Sequence, residues 1–166
     1  MTGETMKRFL LAAALLCAAA PAFGQAAPPP QVLYASAADV EKAMAKAKAE
    51  HKGDDTNTVE VIARVGTYPL QLEYRTGATA PSVHTGQAEM IAVTDGGCTF
   101  VMGGTLVNPK PNGGNVSGTS VTGGTTYKLA KGDTIMVPAG VPHWVTGVEG
   151  GRFVSVTLHM PMAAAQ

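Results

Sequence analysis

The sequence predicts an all-β domain, an antiparallel sandwich or barrel, with one N-terminal α-helix ahead of it. Three observations carry this. Strand-length apolar runs with a period of two begin near Thr58 and recur to Leu158. Gly, Pro, Asn and Asp punctuate them, and the 20 Gly in 166 residues exceed the ~7% of an average chain, as many tight turns between short strands require. No alternation of strand with helix is visible, so a parallel sheet is excluded.

The first 24 residues are read as a leader rather than as fold. Lys7 and Arg8 precede an apolar run from Phe9 to Ala20, and Pro21-Ala22-Phe23-Gly24 places small residues where a signal peptidase reads, with cleavage before Gln25. The run is shorter than the ~20 residues of a membrane span. Removing the leader leaves 10 basic against 11 acidic side chains, a net charge of −1, and Cys98 as the single cysteine, so no intramolecular disulfide forms. The expectation is a periplasmic or secreted protein, exported unfolded. Without a basic stripe, nucleic acid and anionic membrane are excluded as partners.

Residues 25–57 hold a Pro28-Pro29-Pro30 linker and a helix over residues 37–50. Ser36 is the candidate N-cap with Asp39 three residues on, and Gly53 lies just past the end. Val40 and Met44 give a thin apolar stripe, so the helix is expected to lie on the body of the protein without making its core. Strands follow at residues 59–65, 70–75, 89–94, 98–102, 134–137 and 153–158, with Asp95-Gly96-Gly97 read as a hairpin turn. The Gly-, Asn-, Ser- and Thr-rich stretch 103–126 is long for a hairpin and reads as an ordered excursion or a lid. Residues 161–166 form a C-terminal tail.

Alternation from Glu89 puts Ile91 and Val93 on its own face, so a carboxylate enters the same interior as two apolar side chains and needs a partner there. Downstream, residues 132–143 read as a strand, a Pro138-Ala139-Gly140 turn and His143 three residues past the turn glycine. This resembles the second cupin motif, Gly-x5-Pro-x-Gly-x2-His, with Gly147 where the family has a later Asn. Upstream, His84-x4-Glu89-x6-Gly96 resembles the second half of the first cupin motif, with Ser82 where the family's first metal-binding His stands. The resemblance spans residues 58–160. It implies a double-stranded β-helix, a small jelly-roll barrel, with its site in the mouth.

On that resemblance His84, Glu89 and His143 form a two-His, one-carboxylate set for one divalent transition metal. Ligand type suits Fe, Mn, Ni or Zn alike. The competing reading is a metal-free pocket in which His84 pairs with Glu89 and His143 satisfies a backbone carbonyl. Three further residues are pocket candidates: Ser82; His159, either facing the pocket on the Ser155-Thr157 alternation or exposed at a strand end; and Arg75, either a substrate-carboxylate binder or a rim salt bridge. Cys98 reads as a small core hydrophobe. Trp144, next to an inward His, is expected to point outward, against the helix or the mate in a homodimer. Two functions are consistent with these residues: a metal-dependent enzyme (oxygenase, isomerase or lyase) acting on a small molecule, and a non-catalytic small-ligand binder.

Overall fold

Helix formation is decided at Ser36. Its hydroxyl accepts from the Asp39 backbone N–H at 3.2 Å, and the Asp39 carboxylate accepts from the Ser36 N–H at 2.9 Å, a reciprocal cap on α1 (Ala37–Glu50). The computed structural model describes residues 33–162. The leader expected at residues 1–24, the Pro28-Pro29-Pro30 linker and the last four residues of the expected tail lie outside the described residues.

After α1 come β1 (Asn57–Val65), β2 (Tyr68–Arg75), β3 (Ser82–Val83) and the long β4 (Gln87–Met102). Four three-residue strands follow: β5 (Thr105–Val107), β6 (Lys110–Asn112), β7 (Asn115–Ser117) and β8 (Ser120–Thr122). The chain ends with β9 (Thr125–Ala130), β10 (Thr134–Val137) and the long β11 (His143–Pro161). Among the described residues all pairings are antiparallel. The main sheet runs β1-β2-β11-β3-β7-β6, and β4 pairs with β9, β10 and β11. β4 and β11 face each other from His143↔Met102 to Pro161↔Gln87, so these two bent strands fix the double-stranded β-helix.

The alternation of β2 and β11 separates two interiors. Leu72, Tyr74 and Val154 face outward from the barrel and bury Ala47 of α1, with Val40, Ala43 and Met44 packed alongside. Helix α1 thus closes a small apolar layer of its own on the outer face of the sheet. Inside the barrel, Ile91, Val93, Cys98, Phe100, Leu129, Val137, Val145 and Phe153 form the main core. The opposite end of that interior is polar: Gln71, Glu73 and Arg75 of β2 and His159 of β11 line a cavity of about 300 Å³.

One expectation from the sequence is overturned here and another is narrowed. Asp95-Gly96-Gly97 is not a hairpin turn, because the expected strands at 89–94 and 98–102 are one continuous β4. The positive φ of Gly96 (67°) bends that strand at a point where β11 shifts register between Glu149 and Phe153. Turn chemistry that suits a hairpin serves equally to turn a strand around a barrel corner. The stretch 103–126 is an ordered excursion: β6 and β7 pair, and β7 extends the main sheet through Ser82↔Ser117 and Val83↔Val116.

The corner yields a direct test. A Cβ on Gly96 would lie 2.0 Å from the Arg152 carbonyl oxygen, whereas Gly132, also at positive φ, has open space around it. Gly132→Ala should cost about 1–3 kcal/mol from backbone strain alone. Gly96→Ala should cost more, read as a lower urea midpoint; equal losses would show that β11 moves aside freely.

Candidate metal centre

Glu89 lies on β4 between two neighbours, Val137 of β10 and His159 of β11, each directly opposite it in register. Residues opposite each other in a ladder share a face, so the pairing alone brings His159 to the carboxylate. His84 follows β3, and its carbonyl accepts the Gly140 N–H at 2.9 Å. That bond ties the Pro138-Ala139-Gly140 turn to the His84 backbone. His143 opens β11 opposite both Ser82 and Met102.

The result is one buried carboxylate beneath three imidazoles. Glu89 is 3% exposed. Its Oε2 stands 3.2 Å from His143 Nε2 and 3.5 Å from His84 Nε2, and its Oε1 stands 3.3 Å from His159 Nε2. Donor atoms of His84, Glu89 and His159 all fall within 4.8 Å of one another. The His84 ring centroid is 4.5 Å from that of His159 and 5.0 Å from that of His143, and Phe100 stacks on His143 from the core side at 6.1 Å.

Burial pushes the Glu89 carboxyl toward its neutral form, but His143, His159 and His84 outweigh it and hold the group well below the usual carboxylate range. His84 moves the other way: Glu89 raises it despite partial burial. The site therefore holds a fixed negative charge that requires positive charge beside it. His143 Nδ1 lies 3.3 Å from the Val141 carbonyl, a contact that orients the ring with Nε2 toward Glu89. Glu89 Oε2 and His159 Nε2 are buried with no hydrogen-bond partner. Imidazole nitrogens gathered this closely around a buried carboxylate, with Glu89 Oε2 and His159 Nε2 unpartnered, fit a shared cation. His84, Glu89 and His159 are suitable ligands for a divalent transition metal, whereas His143, expected as a ligand from the sequence, stands 3.2 Å from Glu89 but outside the set whose donor atoms all lie within 4.8 Å of one another.

The remaining candidates are placed as follows. Ser82 lines the same cavity, with its Oγ 3.4 Å from His143 Nε2. Arg75 is half-buried in the cavity wall and forms a salt bridge there, with Nε 3.1 Å from Glu73 Oε2 and Nη2 bonded to the same oxygen. Asn57 Nδ2 donates to that oxygen at 2.9 Å, and Thr157 Oγ1 donates to Glu73 Oε1 at 2.9 Å. Glu73 and Asn57 escaped the sequence reading. The signal was available for Glu73, since Gln71, Glu73 and Arg75 alternate along β2 on the face opposite Leu72 and Tyr74.

Cys98 lies in the main core, its thiol pushed up to about 12 by burial, and is no nucleophile. Trp144 departs from expectation. It is half-buried at the cavity rim with its indole N–H donated to the Thr79 carbonyl at 2.6 Å, because β11 begins at the mouth, remote from α1.

The family model for cupins, described as Cupin, matches residues 56–159. No curated protein sequence matches the chain. Among solved structures, hydroquinone 1,2-dioxygenase PnpCD, in complex with Cd2+ and 4-hydroxybenzonitrile, is similar at 16% identity and a TM-score of 0.53, over 80% of this chain and 81% of that one. A protein of Thermus thermophilus is similar at 16% identity and a TM-score of 0.48, over 69% of this chain and 91% of that one. A cupin superfamily protein of Desulfitobacterium hafniense gives 15% identity and a TM-score of 0.46, over 70% of this chain and 87% of that one.

The Glu73 network contributes to the acid limb of stability. Burial raises the Glu73 carboxyl, yet Arg75 and Thr157 win and lower it on balance. A lowered folded value means that the contribution is complete above the unfolded carboxylate value of ~4.3 and is lost as pH falls through the folded one. Glu73→Gln should flatten that part of the acid limb and, by leaving Arg75 without its counter-charge, cost about 3–5 kcal/mol near neutrality. Urea unfolding of both proteins from neutral to acid pH measures the two effects.

Proposed function

The chain belongs to the cupin family, and from that premise we propose that it is an exported metal-binding enzyme acting on a small molecule in the barrel mouth. His84, Glu89 and His143 are the ligands that the motifs supply, and His159 completes the set from β11. The observation that supports this is the buried Glu89 carboxylate under three imidazoles, with Glu89 Oε2 and His159 Nε2 left unpartnered. In this reading His159 stands in for the ligand that Ser82 cannot provide.

A divalent metal held there would polarise a bound oxygen or carbonyl as a Lewis acid. The chain's own groups define the rest. Glu89, held deprotonated and surrounded by imidazoles, serves as a ligand before it serves as a base. The contact of His143 Nδ1 with the Val141 carbonyl orients the ring and directs Nε2 inward. The Ser82 hydroxyl, smaller than an imidazole, leaves space beside His143 in which a substrate can approach. The main core below and Trp144 at the rim limit water to the open end of the cavity.

A second reading, a metal-free small-ligand binder, draws on the Ser82 Oγ contact to His143 Nε2 at 3.4 Å, which occupies that nitrogen without any cation. Metal analysis separates the two. Protein purified from its own compartment should carry close to one transition metal per chain, and His84→Ala, His143→Ala and His159→Ala should each reduce retention against a chelator by about tenfold or more, in the range expected when a ligand shell is broken. Ser82→His should lengthen retention. Equal metal content in wild type and all three alanine variants would overturn the assignment.

Export rests on the Lys7-Arg8 and residue 9–20 pattern alone. The mature protein should begin at Gln25 when sequenced from the periplasm or medium. An intact Met1 on the abundant cellular form would place the protein, and its metal supply, in the cytoplasm.

A further inference from the structure

We propose that Arg75 forms a carboxylate-binding subsite of the barrel mouth, so that the substrate is a small organic acid. Its anionic group would sit on the guanidinium while another part of the molecule reaches the His84, Glu89, His143 and His159 cluster. The inference deepens the metal-centre reading and rests on it for where the rest of the substrate lies.

A guanidinium has five N–H donors in a planar fork. Arg75 uses the edge made by Nε and Nη2, and both bonds go to one oxygen, Glu73 Oε2. The end formed by Nη1 and the second Nη2 hydrogen is the geometry that takes a carboxylate bidentately. Glu73 takes its other donors elsewhere, with Oε2 also accepting from Asn57 and Oε1 accepting from Thr157, and neither oxygen accepts from Arg75 Nη1. Glu73 therefore aims the Arg75 side chain and does not saturate it.

Position and charge agree with this role. Arg75 and the imidazole cluster line one continuous cavity of about 300 Å³. Among the described residues that line it, Arg75 is the only Lys or Arg. Asn57, on the same wall, has a buried Oδ1 with no partner, an acceptor to which a substrate hydroxyl could donate. With a divalent cation at the cluster, Arg75 and the metal outweigh Glu73 and Glu89 by one positive charge. A monoanion neutralises the mouth, whereas a neutral ligand would leave the guanidinium end without an acceptor in a largely desolvated site.

The test compares acids with their neutral amides: lactate against lactamide and benzoate against benzamide. Titration calorimetry is run on metal-loaded and on chelator-treated protein. Wild type should prefer each acid at least tenfold. Arg75→Lys keeps a cation for Glu73 but loses the fork. The double variant Arg75→Met with Glu73→Gln removes both charges, so that neither is stranded if the single variant folds poorly. The preference should fall at least tenfold in both variants while the metal content of each stays at the wild-type level. Equal binding of acid and amide by wild type, or an unchanged preference in the folded variants, overturns the subsite. If wild type holds no metal yet shows an Arg75-dependent preference for acids, the metal reading falls and the subsite stands.

Discussion

The buried charge of Glu89 is the constraint around which the rest of the structure is arranged. A carboxylate that is 3% exposed at the end of an apolar barrel is costly unless positive charge or donors surround it. Three histidines from three separate places in the chain supply those neighbours. One comes from the segment after β3, one from the start of β11 and one from near its end. Positioning them requires β4 and β11 to pair along nearly their whole length, so the register that closes the barrel is also the register that assembles the site.

A second buried acid, Glu73, organises the facing wall. Its two oxygens take donors from Asn57, Arg75 and Thr157, which lie on β1, β2 and β11. The network laces those three strands together on their inner face, while Leu72, Tyr74 and Val154 bind the same strands to α1 on the outer face. The helix can therefore stabilise the wall of the cavity without contributing any group to it. The division of labour follows from strand alternation: odd positions of β2 from Gln71 to Arg75 are polar and inward, and even ones are apolar and outward.

Main core and mouth are joined in a similar way. Phe100 is fully buried and stacks under His143, and Val137, fully buried on β10, pairs with Glu89. The bond from Gly140 N–H to the His84 carbonyl ties the two motif segments together, which explains why a turn remote in sequence from His84 belongs to the same functional unit. A change in packing below the site is thus expressed in the orientation of its ligands.

Local signals carried most of the fold. The Ser36–Asp39 cap, the period of two from Thr58 and the turn at Pro138-Ala139-Gly140 depend on residues near one another in sequence, so the helix, the class and the strands with strong apolar alternation were legible without coordinates, whereas β3, β5 to β9 and the first half of β11 were not. Where the same local chemistry serves two geometries, it misled: Asp95-Gly96-Gly97 suits a hairpin, but Arg152 of β11 packed against Gly96 makes it a corner. The spacing from His84 to Glu89 and the turn before His143 marked three members of the cluster in the sequence. The placement of His159, the pairing of Arg75 with Glu73 and the position of Trp144 at the rim were decided only by tertiary structure. Each depends on which strands become neighbours and in what register, and a pairing between segments as far apart in the chain as those of Glu89 and His159 leaves no periodic trace in either.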